Sequence, residues 1–155
     1  MKKMLIIILP LLIAVSSVFL GFGILQAKNQ KERLTDEIKR KAKAVAESTE
    51  WAACHALKNH DLSSAFKIVD KFQKRERPQG CVIYDEDGKI IAVTEHFSKW
   101  QDVERPYISE LLVSHASRGA FEKYGSNRVY SYTMPVFDEE NKFLGLLEIL
   151  YDLSY

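Results

Sequence analysis

Few residues of this sequence stand at the spacings that catalytic or metal-binding motifs require. Cys54 and His55 are similar to the end of a haem attachment site, but that motif needs another cysteine three residues earlier, where this chain has none. His55 and His60 do not share a helix face, and His96 and His115 are distant in sequence, so no metal site is indicated. The sequence also lacks a nucleophile elbow, a phosphate-binding glycine loop and paired catalytic carboxylates. We therefore expect a protein that is not an enzyme and has no cofactor.

One acidic residue, Glu148, interrupts the apolar segment of residues 143–151. A buried carboxylate there needs a charged or hydrogen-bonding partner, for which Arg128 or Lys123 is the candidate. If the segment has an open face at that point, Glu148 is simply solvated, and the sequence slightly favours this second alternative.

The charge and cysteine content exclude two classes of protein. A net charge of +1 argues against a nucleic-acid binder, which usually has a strongly basic face. Two cysteines, Cys54 and Cys81, are too few for a disulfide-rich scaffold. They could form one bridge in an oxidising compartment or remain two thiols, and both alternatives stay open.

The N-terminal segment has the properties of a membrane anchor. Residues 4–26 carry no charged side chain, and as a helix they span the roughly 30 Å hydrocarbon core of a bilayer. A cleaved signal peptide is the alternative, but the apolar run is longer than a typical h-region of about 7–15 residues. We therefore predict a transmembrane anchor over residues 1–27. Basic residues flank it on both sides, so charge alone leaves the orientation open.

Residues 28–60 predict one long helix, because they contain neither proline nor glycine. An apolar stripe recurs at spacings of three and four residues and consists of Leu34, Ile38, Ala42, Val45, Thr49, Ala52 and Ala56. We expect residues 45–56 to pack under the following domain and residues 30–42 to associate with a second copy.

Two shorter helices are predicted further along the chain. Asp61 is a candidate N-cap for the first, whose expected buried face is Leu62, Phe66, Val69 and Phe72. Pro106 suits the first turn of the second, which Gly119 is expected to close. Residues 95–104 are expected to be irregular.

Five strands are predicted from alternating and continuous apolar runs. An Asp-Gly turn within residues 85–88 predicts a hairpin of strands 81–84 and 89–93. The other strands are expected at residues 120–124, 128–137 and 143–151. The last of them is apolar on both faces, which is typical of a central strand. The sequence thus predicts an α+β fold in which helices flank a five-stranded antiparallel sheet.

Two segments carry a resemblance to a known family. They are V-I-Y-D-E-D-G-K-I-I-A at residues 82–92 and Y-S-Y-T-M-P-V-F-D-E-E-N-K-F-L-G-L-L-E-I-L-Y-D at residues 130–152. Together with the hydrophobic span and long helix, they resemble a single Cache domain, the PAS-like extracytoplasmic sensor module of bacterial receptors. A narrower likeness is to the sensor segment of HAMP-containing, membrane-bound trehalose-phosphate synthases. Those proteins continue into a second span, a HAMP unit and an enzyme domain, whereas this sequence stops at Tyr155.

The resemblance implies an organisation and a function. Residues 1–27 would be the anchor, residues 28–60 a juxtamembrane helix and residues 61–155 the sensor domain, held outside the inner membrane. Such a domain binds a small ligand, dimerises through the long helix and transmits a signal through it. The alternatives are a docking module without a solute ligand and the front end of a membrane-bound enzyme.

The resemblance also implies where a ligand binds. A Cache pocket lies on the open face of the sheet, and aromatic side chains would supply an apolar wall with polar tips. Arg128 could hold a carboxylate through two hydrogen bonds. The candidate ligand-binding residues are Tyr84, Trp100, Tyr107, Arg128, Tyr130 and Tyr132. Ordinary cross-strand packing of the tyrosines and a solvated Arg128 are the alternative.

Overall fold

A computed structural model of the chain describes residues 2–74, 79–102 and 105–153, without the side chains of 2–25, 27, 29, 31, 79, 100–102 and 124. The chain divides into two compact units, Met1–Glu37 and Ile38–Tyr155. The first helix, α1, runs over Lys2–Lys58. Among the described residues, no helix combines the length and the apolar character that a membrane crossing requires. The predicted anchor falls almost entirely on residues whose side chains are not described, so it stays a prediction.

The five predicted antiparallel strands are confirmed. They are β1 Gln79–Tyr84, β2 Ile90–Val93, β3 Arg118–Tyr124, β4 Asn127–Phe137 and β5 Phe143–Asp152. The sheet has the order β2-β1-β5-β4-β3, with every neighbouring pair antiparallel. The predicted central position of the last strand is also confirmed, since β5 lies between β1 and β4.

The second helix, α2, spans Leu62–Gln73 and begins at the predicted N-cap. The Asp61 carboxylate accepts the Ser64 backbone N–H at 3.1 Å, and the hydrogen bonds from Ser64 lower the pKa of Asp61. The predicted buried face is partly wrong, because Leu62 and Phe66 are more than half exposed. The buried residues instead follow the i, i+3, i+4, i+7 pattern as Ala65, Ile68, Val69 and Phe72.

The third helix, α3, spans Pro106–Ser114 and ends earlier than predicted. His115 terminates it in the left-handed conformation, with φ 51°, and donates its backbone N–H to the Leu111 carbonyl at 2.9 Å. Gly119, which was predicted to end this helix, lies within β3 and pairs with Tyr132 of β4. Glu95–Asp102, expected to be irregular, forms a 3₁₀ segment.

The helices cover the two faces of the sheet unequally. We call the side packed by α1 and α2 the helix face; its core includes Cys81 and Ile83 of β1 and Leu147 and Ile149 of β5. The opposite side, which we call the α3 face, has a core that includes Phe97, Tyr107, Ile108 and Leu111. Cys54 and Cys81 carry free thiols, so the bridge is absent.

Several of the residues that α1 buries on the helix face are small. Ala42, Ala46 and Ala53 have no exposed surface, and Ile38 and Val45 pack against the same core. The expected packing of residues 45–56 under the domain is therefore confirmed. It extends back to Ala42 and Ile38, which the sequence had assigned to self-association, since Ala42 has no exposed surface and Ile38 packs against the same core.

Candidate functional site

The centre of the α3 face holds a fully buried carboxylate. Glu148 of β5 has no exposed surface, whereas the sequence favoured a solvated side chain there. That prediction is wrong because the 3₁₀ segment and α3 cover this part of the sheet with Phe97, Tyr107 and Leu111. In the described part of the chain, a charged partner of Glu148 is Arg105, whereas the two residues suggested from the sequence, Arg128 and Lys123, are both exposed.

Within the described part of the chain, four side chains donate hydrogen bonds to this carboxylate, and we call the five residues together the Glu148 centre. The Tyr84 hydroxyl donates to Oε2, while the Tyr107 and Ser131 hydroxyls donate to Oε1 at 3.0 and 2.6 Å. The Arg105 guanidinium donates from Nη1 to Oε2 at 3.5 Å and to the Tyr84 hydroxyl. A buried charge is tolerable only with such partners, since unpaired burial is costly.

The donors come from three different parts of the fold. Tyr84 ends β1, Ser131 lies in β4, and Arg105 and Tyr107 flank the first residue of α3. Alternation along β4 and β5 directs Ser131 and Glu148 to the same face. The Pro106 ring fixes the start of α3 between its two contributing residues. The carboxylate therefore ties α3 to the middle of the sheet.

The environment keeps both tyrosines protonated. Burial raises the pKa of Tyr84 well above its ordinary value, and the negative charge of Glu148 raises it further. The same two causes raise the pKa of Tyr107. Both hydroxyls thus remain hydrogen-bond donors to Glu148 throughout the physiological pH range.

A second arginine and an unusual threonine border the centre. The Arg118 guanidinium carbon lies 3.9 Å from the Tyr107 ring centroid, and its Nη1 lies 2.7 Å from Glu122 Oε1. Thr133 pairs with Arg118 on one neighbouring strand and with Glu148 on the other. Its hydroxyl is buried and has no hydrogen-bond partner within the part of the chain that the structure describes.

The structure separates the predicted ligand residues. Tyr84 and Tyr107 meet at the Glu148 centre, but Tyr130 and Tyr132 belong to the core of the helix face. Arg128 is exposed, and its guanidinium carbon lies 5.7 Å from the Phe121 ring centroid. The side chain of Trp100, the sixth predicted residue, lies outside the described part. The ligand-binding role of all six remains a prediction.

Sequence reasoning missed Arg105, Ser131 and Thr133. The isolated acid at position 148 was the available signal, because a charge in an apolar central strand calls for donors on adjacent strands. Ser131 and Thr133 alternate with the tyrosines of β4, so their shared face could have been inferred from the period of two. Arg105 reaches Glu148 from a position 43 residues away in sequence, which no local pattern indicates.

A cavity of about 700 Å³ lies elsewhere, between the end of α1, the start of α2 and the two hairpin turns. Aliphatic side chains such as Leu57, Ala65 and Leu144 line it together with charged groups such as Asp85 and Lys142. None of the predicted ligand residues with described side chains lines this cavity.

The unit Ile38–Tyr155 has a PAS/Cache-like α+β fold, defined by this antiparallel sheet with helices on both faces. The crystal structure of the E. coli DcuS sensor domain is similar, with a TM-score of 0.58 and 20% sequence identity. The match covers 77% of this chain and 91% of that one.

Two further solved structures show weaker likeness. An extracellular ligand-binding receptor from Desulfohalobium retbaense matches with a TM-score of 0.48 and 19% identity, over 76% of this chain and 24% of that one. A sensory box sensor histidine kinase from Vibrio cholerae matches with a TM-score of 0.41 and 14% identity, over 63% and 98%. No family model matches the sequence, and no curated protein matches it either.

Proposed function

We propose that this chain is a membrane-anchored, extracytoplasmic sensor domain that binds a small ligand at the Glu148 centre. The observation that carries the proposal is the carboxylate itself, fully buried in a PAS/Cache-like fold and held by donors from β1, β4 and α3. A well-packed apolar residue in its place would often be as stabilising or more so. The polar centre is therefore better explained by recognition than by stability.

The signal would pass from the centre to α1. Arg105, which precedes α3, and Tyr107 of α3 both donate hydrogen bonds to Glu148 of β5. The other face of β5 packs in the core that contains α1. A ligand shifts an equilibrium only through its difference in affinity for two states. A ligand that favours one position of α3 would bias the sheet, and α1 would carry that bias towards the membrane.

The anchor, the location and the dimer belong to the same proposal. The uncharged run of residues 4–26 supports a membrane-spanning helix, and the sensor fold supports a domain on the outer side of the inner membrane. Within the first unit, α1 exposes Leu34, which is 57% accessible. We propose that this part of α1 pairs with a second copy.

The test is a ligand screen on the full chain in lipid nanodiscs, followed by thermal unfolding. Amino acids, organic acids, small organic cations, sugars and divalent ions are the probes. A ligand at a hundredfold excess over its dissociation constant stabilises the native state by about 2.7 kcal/mol. We expect one class to raise the melting temperature, with loss of the shift in Tyr107→Phe and retention in Tyr130→Phe, which removes a buried hydroxyl from the helix face. An equal loss in both variants, or no shift with any probe, would overturn the proposed site.

A docking module without a solute ligand is the second candidate. It is favoured by exposed apolar side chains on α1 and α2, among them Trp51, which is 80% accessible, Leu62 and Phe66. Cross-linking of the full chain in its native membrane, with Trp51→Glu as the disrupting variant, would identify such a partner. We further propose that the domain is not itself an enzyme. The front end of a membrane-bound trehalose-phosphate synthase remains a third candidate, and an in-frame second span after Tyr155 would support it.

A further inference from the structure

Each tyrosine ring of the Glu148 centre lies against an arginine guanidinium. The guanidinium carbon of Arg105 lies 5.2 Å from the Tyr84 ring centroid, and that of Arg118 lies 3.9 Å from the Tyr107 ring centroid. Aromatic faces attract cations electrostatically, and more strongly where water is excluded. Two aromatic faces at one site are thus arranged for positively charged groups.

Two acceptors of the site lie side by side. Glu148 carries a buried negative charge, and the adjacent Thr133 hydroxyl has no partner among the described residues. The two residues are directly opposite each other on β5 and β4, where Cβ atoms of such pairs lie about 4.5–5.5 Å apart. An ammonium group has three N–H donors and a guanidinium has five, so one cation can bond to both. An anionic ligand would instead place a like charge beside Glu148.

Arg105 is the member of the centre that a ligand can replace. Its side chain is 8% exposed and enters from the residue that precedes α3, where it makes no capping hydrogen bond. Its 3.5 Å contact with Glu148 is longer than the 3.0 and 2.6 Å contacts of Tyr107 and Ser131, and its other hydrogen bond goes to the Tyr84 hydroxyl, which a ligand cation can also contact. Arginine has a long, flexible stem that can carry the guanidinium out into water.

We propose that the ligand of the Glu148 centre is a small organic cation of the ammonium or guanidinium class. It replaces the Arg105 guanidinium on Glu148, on the Tyr84 hydroxyl and on the Tyr84 ring, and it donates a further hydrogen bond to Thr133. Arg105 is then an internal competitor that occupies the site in the absence of ligand. The inference rests on the proposed function, since it names the ligand class of the same site.

The exchange couples occupancy to α3. With Arg105 in place, the start of α3 is held to Glu148 through the preceding Arg105 and through Tyr107; with the ligand in place, Tyr107 remains as the contact. The end of α3 that begins at Pro106 thereby loses a charged tie to β5. The ligand must displace the tethered guanidinium of Arg105. The wild-type chain therefore binds the ligand with a lower apparent affinity than a chain without Arg105.

The experiment titrates the full chain in nanodiscs with methylammonium and methylguanidinium chloride, against sodium chloride at equal ionic strength. We expect a saturable rise in melting temperature for wild type and at least tenfold tighter binding for Arg105→Ala. Glu148→Gln, which keeps the shape and removes the charge, is expected to bind at least tenfold more weakly. Arg40→Ala removes an exposed guanidinium from α1 and serves as the matched control with unchanged binding.

Thr133→Val separates recognition from stability. Removing an unsatisfied hydroxyl is expected to leave the melting temperature of the ligand-free chain unchanged or raised, while cation binding weakens several-fold. A purely structural threonine would not move the two readouts in opposite directions. If Arg105→Ala does not fold, Arg105→Gln takes its place.

Three results would overturn the inference. The first is that neither wild type nor the Arg105 variant shows a saturable rise in melting temperature. The second is that Glu148→Gln binds the cations as tightly as wild type. The third is that the Arg105 variant binds them and wild type does not. The last would make Arg105 a permanent part of the centre. An organic acid or sugar that binds wild type in a Tyr107-dependent manner would leave the sensor function intact and refute only the cationic ligand.

Discussion

The two faces of the sheet are built on different principles, although the same strands form both. On the helix face, α1 and α2 pack small and aliphatic residues against alternate positions of β5, such as Leu147 and Ile149. On the α3 face, the residue between those two is a carboxylate with hydrogen-bond donors from three elements. Apolar packing depends on volume and tolerates exchange, whereas a buried charge depends on every partner. The specific chemistry of this domain is therefore concentrated on one face.

The largest expected effect comes from removing the Glu148 carboxylate while Arg105 stays in place. Glu148→Ala leaves the buried Arg105 guanidinium without its carboxylate and should lower the free energy of unfolding by about 3–5 kcal/mol. The double variant Glu148→Met/Arg105→Met replaces both charges with apolar groups and should recover most of that loss. Urea unfolding of the full chain in micelles measures both. A loss below about 1 kcal/mol for Glu148→Ala would show that the two faces do not differ as described.

A smaller effect is expected from two matched tyrosine substitutions on opposite faces. Tyr107→Phe removes a hydrogen bond to a charged acceptor and should cost about 1.5–3 kcal/mol. Tyr130→Phe removes a buried hydroxyl from the helix face. The hydrogen bonds of the described residues give this hydroxyl no charged acceptor, so the loss in free energy of unfolding should be smaller. Equal losses in the same unfolding assay would contradict the contrast between the faces.

A third effect is an alkaline destabilisation to which Tyr84 and Tyr107 of the α3 face contribute. The pKa values of Tyr84 and Tyr107 are raised in the folded chain, while unfolded tyrosine titrates near pH 10. Their stabilisation is complete below about pH 10 and is lost as the pH rises above it, by roughly 1.4 kcal/mol per tyrosine for each unit. Unfolding between pH 9 and 11 should show this slope, and Tyr107→Phe should reduce it. A slope that Tyr107→Phe leaves unchanged would argue against the assignment.

The sheet could be predicted from the sequence because its signals are local. The Asp-Gly turn fixed the first hairpin, and the doubly apolar run at residues 143–151 marked the central strand. Asp61 likewise predicted the start of α2 correctly. In each case a short sequence pattern meets a local requirement of the backbone, such as a turn conformation or a helix cap. Such patterns can be recognised without knowledge of the tertiary structure.

The site could be predicted only in part because its parts are brought together by tertiary packing. Tyr84 and Tyr107 were named for their amphipathic rings, but the sequence placed them with Tyr130 and Tyr132, which face the other way. Within β4 the period of two could have separated Tyr130 from Ser131. The contact of Arg105 with Glu148 depends on how α3 lies on the sheet, which residue spacing does not encode.

The central position of β5 has a consequence for how the domain folds. β5 is the last of the described strands, yet it joins the β1–β2 hairpin to the β3–β4 hairpin. Tyr84 and Glu148, which meet across that junction, are 64 residues apart in sequence. During synthesis the two hairpins must wait for residues 143–152 with unpaired edges, which are prone to aggregate. Because Glu148 arrives with that strand, we expect the sheet and its polar centre to form in one late, slow step.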